Sequence, residues 1–205
     1  MKLGIIGRNW GAVYAKTCRE LGIEHWIAGR EWGEKADAYI VASPPETHYE
    51  IARKLLSEGS PVIIEKPVTM VPEQAYELAR YPIAFAGHTR LYDPNWKVFK
   101  SRFTRAIDIE ARAGGTKRDP WWDWGPHIVA MCLDLGFDPR KARISVRKAQ
   151  EPLSFVVNGR HTFTDKPART SPIACLITEF MAAVEKGQPD NRLMPEVVEI
   201  LHELG

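Results

Sequence analysis

The sequence has few cysteines, no long apolar run and no excess of one charge, and each absence excludes a class of protein. The three cysteines, Cys18, Cys132 and Cys175, form no CxxC pair, so we expect reduced thiols in a cytoplasmic protein. No apolar run is long enough for a signal peptide or a membrane span. A formal net charge of +2 gives no reason to expect nucleic acid or a membrane as a partner. The histidines show no metal-ligand spacing, so no metal site is expected.

The sequence does contain an alternation of strand and helix patterns, which changes in character at about residue 90. The chain has 205 residues, of which 44% are hydrophobic, enough for one large domain or two small ones with a core. Residues 1–90 predict an α/β fold, a Rossmann-type doubly wound parallel sheet. Residues 91–205 predict a small α+β domain with an open, mainly antiparallel sheet, which includes a hairpin turn at Asn158-Gly159.

A glycine turn follows the first predicted strand, Leu3–Ile6. The frame reads Gly7-x-Asn9-x-x-Ala12 and leads into a helix, which is the context in which a glycine-rich motif binds a dinucleotide. Gly7 allows the tight turn, Asn9 tolerates positive φ, and Ala12 is small enough for close packing of helix on strand. Taken alone, the motif also fits an ordinary β-α turn.

The second predicted strand ends at Ala28-Gly29-Arg30, where an NAD-binding unit often carries an acidic residue. Without that carboxylate a 2′-phosphate is not repelled, and Arg30 can bind it, with Arg8 in reach of the same region or of the pyrophosphate. This pattern favours NADP over NAD as the cofactor. If Arg30 only faces solvent, the two cofactors bind alike. The link to the next strand is too short for a normal crossover helix.

Three residues have side chains suited to acid-base chemistry on a carbinol or carbonyl. Lys66 follows the apolar run Pro61–Ile64, at the strand end where open α/β sheets keep reactive groups. Asp123 and His127 are four residues apart, so a helix places them on one side. A histidine can take or give the proton, a carboxylate can orient it, and a lysine can stabilise charge on the reacting oxygen. Each also has a structural reading: Lys66 as a surface lysine, Asp123 as an N-cap, and His127 as a residue in the first turn of its helix.

Several motifs in order resemble the Gfo/Idh/MocA oxidoreductases, of which the chain looks like an unusually short member. They are the glycine turn, Ala42-Ser-Pro-Pro-Glu-Thr-His48, Glu65-Lys-Pro67, Arg90-Leu-Tyr-Asp-Pro94 and Asp123-x-Gly125-x-His127. The resemblance implies a Rossmann domain followed by an α/β domain with an open sheet, NAD or NADP as cofactor, and a sugar or polyol as substrate. The chain departs from the family at Asn9, at the missing acidic residue after the second strand, and at Ala130, where an aspartate is usual.

The resemblance also implies the roles of individual residues. Those expected to be catalytic are Lys66, Asp123 and His127. Those expected to bind the cofactor are Gly7, Arg8, Asn9, Trp10, Arg30, Ser43, Pro44, Pro45, His48, Glu65 and Lys66. Those expected to bind substrate are Arg90, Tyr92, Trp121 and Trp122. The three tryptophans that flank Asp123, namely Trp121, Trp122 and Trp124, can form a platform for the apolar face of a sugar ring, or they can pack in the core or at a domain interface.

Three functions fit these residues. The first is an NAD(P)-dependent oxidoreductase of the Gfo/Idh/MocA type that transfers a hydride to or from a sugar or polyol carbon. The second is a redox-neutral NAD-dependent glycoside hydrolase or lyase that oxidises a carbon transiently. The third is a non-catalytic dinucleotide-binding protein. We also expect a homodimer or higher homo-oligomer, because helices at about 172–187 and 195–204 cover only part of the apolar surface of the second sheet.

Overall fold

The structure is a computed structural model that describes residues 1–29, 34–115, 119–164 and 169–205. These residues group into two compact units, the first of residues 1–87 and 173–198 and the second of residues 88–172 and 199–205. The predicted domains, 1–90 and 91–205, stay a prediction. The sequence did not indicate that residues 173–198 group with the first sheet.

The first unit contains a five-stranded parallel sheet in the order β2-β1-β3-β4-β5. Its strands are β1 (Leu3–Ile6), β2 (His25–Ala28), β3 (Ala38–Val41), β4 (Val62–Ile64) and β5 (Ala84–Ala86). Its helices are α1 (Asn9–Glu20), α2 (His48–Ser57), α3 (Pro72–Leu78) and α6 (Pro172–Lys186). The parallel order confirms the predicted Rossmann-type sheet.

The strands of this sheet are short and almost wholly apolar, and burial of their side chains stabilises the sheet. Every residue of β1, β3, β4 and β5 is buried, as expected for parallel strands covered on both faces. Helix α1 buries Tyr14 and Cys18, whereas Leu21, which follows the last helical residue Glu20, is 42% exposed. Gly22 then takes a left-handed conformation with φ +69° and ends the helix.

Residues 190–193 and α6 extend the first unit beyond β5. The Ala86 N–H donates to the Arg192 carbonyl, and the Arg192 N–H donates to the Ala84 carbonyl, so this segment pairs with the edge strand. Phe180 of α6 packs edge-on against Phe85, with ring centroids 5.3 Å apart. These contacts explain why a segment distant in sequence belongs to the first unit.

The second unit contains a four-stranded mixed sheet in the order β7-β6-β8-β9, in which β6 is parallel to β7 and antiparallel to β8. Its strands are β6 (Ile109–Gly114), β7 (Arg143–Arg147), β8 (Ser154–Val157) and β9 (His161–Thr164). Its helices are α4 (Pro94–Lys100) and α5 (Pro120–Asp134), while α7 (Glu196–Leu204) crosses the boundary between the units. Asn158 and Gly159 both have positive φ, as the predicted hairpin requires.

Helix α5 begins at Pro120, seven residues before His127, so His127 does not lie in the first turn of its helix. The Asp119 side chain accepts hydrogen bonds from the N–H groups of Trp121 and Trp122, and Pro120 occupies the first turn. Asp119, rather than Asp123, is therefore the N-cap. The earlier start places both Asp123 and His127 within the helix.

One face of the second sheet is polar, contrary to the apolar surface expected from the sequence. Ile109, Ala111 and Ala113 are buried, whereas Glu110 and Arg112 alternate with them along β6. Arg143 of β7 forms ion pairs with Asp108 and Glu110. The physical reason given for an oligomer, an uncovered apolar face, is therefore wrong. Within the described residues, no helix combines the length and apolarity needed to cross a membrane.

Candidate functional site

The carboxyl ends of β1 and β3 meet where the strand order of the first sheet reverses. In open α/β sheets this switch point is where ligands bind. Gly7 has φ +124°, and a Cβ on it would lie 2.2 Å from the carbonyl oxygen of Ala42. A side chain at this position therefore cannot fit, and the main chain after β1 passes directly beside the loop after β3.

Helix α1 starts immediately after this turn, and its N-terminus carries no acidic residue in the first turn and no side-chain cap. Arg8, Asn9 and Trp10 are exposed there. Peptide N–H groups at such a helix start favour an anionic group such as a phosphate. The first turn is thus suited to the pyrophosphate of a dinucleotide.

Two details of the predicted glycine motif were wrong. Asn9 is the first residue of α1 and is helical, so its tolerance of positive φ is not used. Ala12 is exposed, and Gly11 is the residue that packs closely: a Cβ on it would lie 3.1 Å from Cγ2 of Ile5 and 3.4 Å from Cδ1 of Ile27. The close-packing position therefore follows Gly7 by four residues instead of five.

The end of β2 lies beside Arg8. A Cβ on Gly29 would be 3.0 Å from Nε of Arg8, so the guanidinium rests on the main chain at Gly29. This is the strand end at which the ribose of a dinucleotide is recognised in folds of this type. Arg30, the other predicted phosphate ligand, lies outside the described residues.

The loop after β3 contains Ser43, Pro44 and Pro45 and leads through one 3₁₀ turn into α2. Pro44 is exposed, and Ser43 Oγ lies 2.7 Å from Oγ1 of Thr47. His48 is 1% exposed, with Nδ1 2.8 Å from the Pro67 carbonyl oxygen and Nε2 2.8 Å from the Ser43 carbonyl oxygen. Burial lowers the pKa of His48 below its usual value. The two carbonyl oxygens act in the opposite direction, because they favour the imidazolium.

Glu65 and Lys66 follow β4 at the same edge of the sheet. Glu65 is 5% exposed; its Oε1 accepts a hydrogen bond of 2.7 Å from the hydroxyl of Tyr14, and its Oε2 accepts one of 2.9 Å from the Lys66 N–H. A Cβ on Gly87 would lie 2.9 Å from Cα of Glu65, so the chain after β5 also passes close. Lys66 is half-buried. These contacts turn the Glu65 carboxylate toward the interior of the first unit.

In the second unit, Asp123 and His127 occupy positions i and i+4 of α5, which places them on one side of the helix. Asp123 is half-buried, and His127 is 8% exposed. The imidazole of His127 has aromatic neighbours: its ring centroid is 6.0 Å from that of Trp124 and 6.4 Å from that of His88. The Arg90 guanidinium carbon lies 5.6 Å from the centroid of the Trp124 ring.

His88 is a residue that sequence reasoning missed, whereas Trp124 was expected, with Trp121 and Trp122, as part of an aromatic platform beside Asp123. Trp124 precedes His127 by three positions, a spacing that already indicates a shared helix face, and His88 follows β5 after Gly87. Trp121 and Trp122, the predicted substrate platform, contact the end of α7 instead. The Trp121 indole N–H donates to the Leu201 carbonyl at 3.2 Å, and the Trp122 ring centroid lies 5.2 Å from that of His202.

The family model described as "Oxidoreductase family, NAD-binding Rossmann fold" matches residues 4–82. This segment is therefore similar to the Gfo/Idh/MocA oxidoreductases. The match covers β1 to α3, and so includes the glycine turn, the loop after β3 and Lys66. The predicted family resemblance is therefore confirmed.

Two curated relatives match parts of the chain. The uncharacterized oxidoreductase YdgJ of Escherichia coli (strain K12) is 24% identical over 123 residues, which cover 48% of this chain and 36% of that protein. Inositol 2-dehydrogenase 1 of Saccharopolyspora erythraea is 32% identical over 78 residues, covering 35% of this chain and 22% of that protein. The matched segments thus span well under half the length of these relatives.

The fold of this chain is shared with solved structures over nearly its whole length. UDP-N-acetylglucosamine 3-dehydrogenase GnnA from Acidithiobacillus ferrooxidans superposes with a TM-score of 0.80 and 15% identity, covering 99% of this chain and 96% of that one. At this identity the comparison shows a common fold. It confirms the predicted class, a Rossmann-type sheet followed by a small sheet with helices.

The buried cysteines take no part in these sites. Burial raises the pKa of Cys18 to about 11 and that of Cys132 to about 12, so both remain protonated thiols near neutral pH. Cys18 lies on the buried face of α1 and Cys132 on that of α5. Their role is packing.

Proposed function

We propose that the chain is an NAD(P)-dependent oxidoreductase that transfers a hydride between nicotinamide and a carbon of a sugar or polyol. The observation that carries the proposal is the turn at Gly7, packed against Ala42 at the switch point of a sheet whose family is NAD-binding. The substrate class is supported by the names of two similar proteins, which refer to an inositol and to a UDP-linked sugar.

The residues at the switch point suit a dinucleotide. The Gly7 cradle leaves no room for a side chain, and the adjacent start of α1 offers N–H groups with no acidic residue nearby. We propose that the cofactor contacts the turn Gly7–Trp10, the loop Ser43–Pro45 and Lys66. When bound, the nicotinamide supplies the acceptor or donor of the hydride. Glu65 and His48 are buried and directed into the protein, so they are not proposed as cofactor contacts.

Three side chains supply the remaining chemistry in this proposal. His127 takes the hydroxyl proton during oxidation and returns it during reduction. Asp123, one helical turn before it, favours the imidazolium form. The Lys66 ammonium hydrogen-bonds the reacting oxygen and stabilises negative charge on it. Trp124, whose ring neighbours that of His127, and Arg90, whose guanidinium lies over the Trp124 ring, are further candidates for substrate contact. We place them ahead of Trp121, Trp122 and Tyr92.

We further propose that NADP is preferred over NAD. The support is Arg8, whose guanidinium rests on Gly29 at the end of β2, together with the absence of a carboxylate at Ala28-Gly29-Arg30. Titration of both cofactors decides this point. We expect tighter binding of NADP in the wild type and loss of that advantage in Arg8→Ala. Arg19→Ala, an exposed arginine at the other end of α1, is the matched control. Equal affinities or tighter NAD binding in the wild type would contradict the preference.

A panel of sugars, polyols and glycosides tests the reaction itself. Each compound is incubated with NAD or NADP while two signals are followed, the absorbance of reduced nicotinamide and the formation of product. Sustained formation or consumption of reduced cofactor supports the oxidoreductase. Product without net change in cofactor supports the redox-neutral reaction, and binding of cofactor without any product supports a non-catalytic protein.

We also propose a homodimer or higher homo-oligomer that pairs through the second sheet, as the family resemblance implies. The outer face of that sheet is charged, with Glu110, Arg112 and Arg143 on it. Pairing through such a face would rest on charge complementarity more than on apolar burial.

A further inference from the structure

The main chain around Lys66 is fixed on both sides by buried side chains. The Lys66 N–H donates to Oε2 of Glu65 at 2.9 Å. The carbonyl oxygen of the next residue, Pro67, lies 2.8 Å from Nδ1 of His48. Glu65 is 5% exposed and His48 is 1% exposed, so both contacts are shielded from water. The lysine therefore emerges from a segment that is held immediately before and immediately after it.

Each of these two side chains is held in turn by a loop or helix of the candidate cofactor site. The hydroxyl of Tyr14, a fully buried residue of α1, donates to Oε1 of Glu65 at 2.7 Å. Nε2 of His48 lies 2.8 Å from the carbonyl oxygen of Ser43, in the loop after β3. A neutral ring carries one N–H and donates to either the Pro67 or the Ser43 carbonyl, whereas the imidazolium donates to both. The Lys66 segment is thus connected to the helix after the glycine turn and to the loop after β3, all within the first unit.

A buried carboxylate is costly unless hydrogen bonds compensate its desolvation. Glu65 receives such bonds from Tyr14 and from the Lys66 main chain, and this arrangement accounts for its burial without a contact to cofactor. A fixed main chain is important for a lysine, because the long side chain has many rotamers and its direction depends on the main chain that carries it. Small displacements of a reacting group lower turnover strongly.

We propose that Tyr14, Glu65 and His48 are positioning residues that fix the main chain of Lys66 and thereby direct its ammonium group to the reacting oxygen. The proposal rests on the catalytic role proposed for Lys66, but the fixed main chain can be measured without turnover. It assigns to Glu65 and His48 a role behind the cofactor site in place of direct cofactor contact.

The variant Tyr14→Phe removes one hydroxyl and keeps the ring. Tyr49→Phe is the matched control, because the hydroxyl of Tyr49 also donates to a glutamate, Glu77, at 2.6 Å in the same unit. Hydrogen exchange of the Lys66 amide is measured by NMR, together with kcat and the cofactor Kd. In Tyr14→Phe we expect about tenfold faster amide exchange and a fall in kcat of about 10- to 100-fold, with a smaller change in cofactor Kd. Tyr49→Phe should leave all three values near those of the wild type.

A second pair of variants tests the other side of the segment. His48→Gln keeps a side-chain N–H that can donate to the Pro67 carbonyl, whereas His48→Ala has none. We expect kcat and Lys66 amide protection to fall in the order wild type, His48→Gln, His48→Ala. Equal losses in the two folded variants would indicate a packing role and overturn the assignment of His48.

Two results would overturn the proposal as a whole, and one would separate it from the proposed function. Identical Lys66 amide exchange in Tyr14→Phe and Tyr49→Phe would show that Tyr14 does not fix this segment. Faster exchange with unchanged kcat, in an enzyme that Lys66→Ala inactivates, would show that fixing the segment does not matter for catalysis. A fully active Lys66→Ala enzyme would overturn the catalytic role of Lys66, whatever the amide exchange shows.

Discussion

At the scale of single residues, the side chains proposed for catalysis lie at positions that short sequence patterns define. Lys66 follows a parallel strand and Asp123 and His127 share a helix side, as their patterns predicted. His88, a neighbour of His127, was missed because it comes from a separate segment, and only folding brings its ring within 6.4 Å of the imidazole. The burial of Glu65 and His48 could not be predicted either, because a polar residue in a predicted loop is normally exposed to solvent.

The first residue-scale prediction concerns catalysis. Lys66→Ala, Asp123→Asn and His127→Ala should each lower kcat strongly while folding and cofactor binding are retained, because a general acid or base contributes about 10²–10⁴-fold. Steady-state kinetics with the substrate found in the panel gives the loss, and circular dichroism and cofactor titration check the fold and binding. Lys16→Ala, an exposed lysine on α1, serves as the control. Losses below tenfold in all three variants would remove these assignments.

The second residue-scale prediction concerns the pH dependence of stability. Burial lowers the pKa of His48 in the folded chain below the ordinary value of 6.5. The unfolded chain therefore takes up this proton at a higher pH than the folded chain does. The stabilisation is present above pH 6.5 and is lost as pH falls from there through the lower folded pKa. Urea unfolding at a series of pH values should show this loss in the wild type.

The variant His48→Gln removes the titrating group, so its free energy of unfolding should change less with pH below 6.5 than that of the wild type. His161→Gln, at an exposed histidine that begins β9, is the control and should keep the wild-type slope. Parallel curves for wild type and His48→Gln would show that His48 is not the group responsible.

At the scale of elements, strands and turns were predictable where the local chemistry is strong. The apolar strands, Pro72 at the start of α3 and the Asn158-Gly159 turn all follow from residue type. The start of α5 was predicted too late because the aromatic residues between Trp121 and Trp124 show no clear alternation of apolar and polar positions with the helix period. Asp119 followed by Pro120 is nevertheless a helix-start signal. The glycine motif was shifted by one residue because spacing in the family pattern was applied to a shorter turn.

The element-scale prediction uses that one-residue shift. A β-branched side chain at Gly11 would enter the contact between α1 and the sheet, where a Cβ alone already lies 3.1 Å from Ile5. Gly11→Val should therefore destabilise the protein by about 1–3 kcal/mol, the usual cost of overpacking. Ala12→Val, at the exposed neighbour, should cost only the lower helix propensity of valine, under about 1 kcal/mol. Denaturant unfolding compares the two, and a larger loss in Ala12→Val would restore the motif first predicted.

At the scale of the whole molecule, alternation of strands and helices predicted both sheets, whereas the grouping of distant segments was out of reach. Residues 173–198 pair and pack with β5 through Arg192 and Phe180. Their sequence has an amphipathic helix pattern, which predicts a helix but does not indicate the element against which that helix packs. The polar face of the second sheet was missed for a related reason. The alternation of residues along β6 shows that one face of the sheet is polar and the other apolar. The prediction took the apolar face to be the one exposed to solvent.

The last prediction concerns assembly through this polar face. In a two-fold symmetric pair each surface patch meets its own copy, so Glu110 and Arg112 of one chain can face the opposite charges of the other. Such pairing is screened by salt. Light scattering at micromolar concentration should therefore give a dimer or a larger closed oligomer at low ionic strength, with dissociation as salt is raised. Arg112→Glu should weaken the assembly, because it places like charges on both copies, while Arg19→Glu on helix α1 of the first unit should not. A monomeric mass at low salt would contradict pairing through this sheet, and an oligomer insensitive to both salt and Arg112→Glu would place the interface elsewhere.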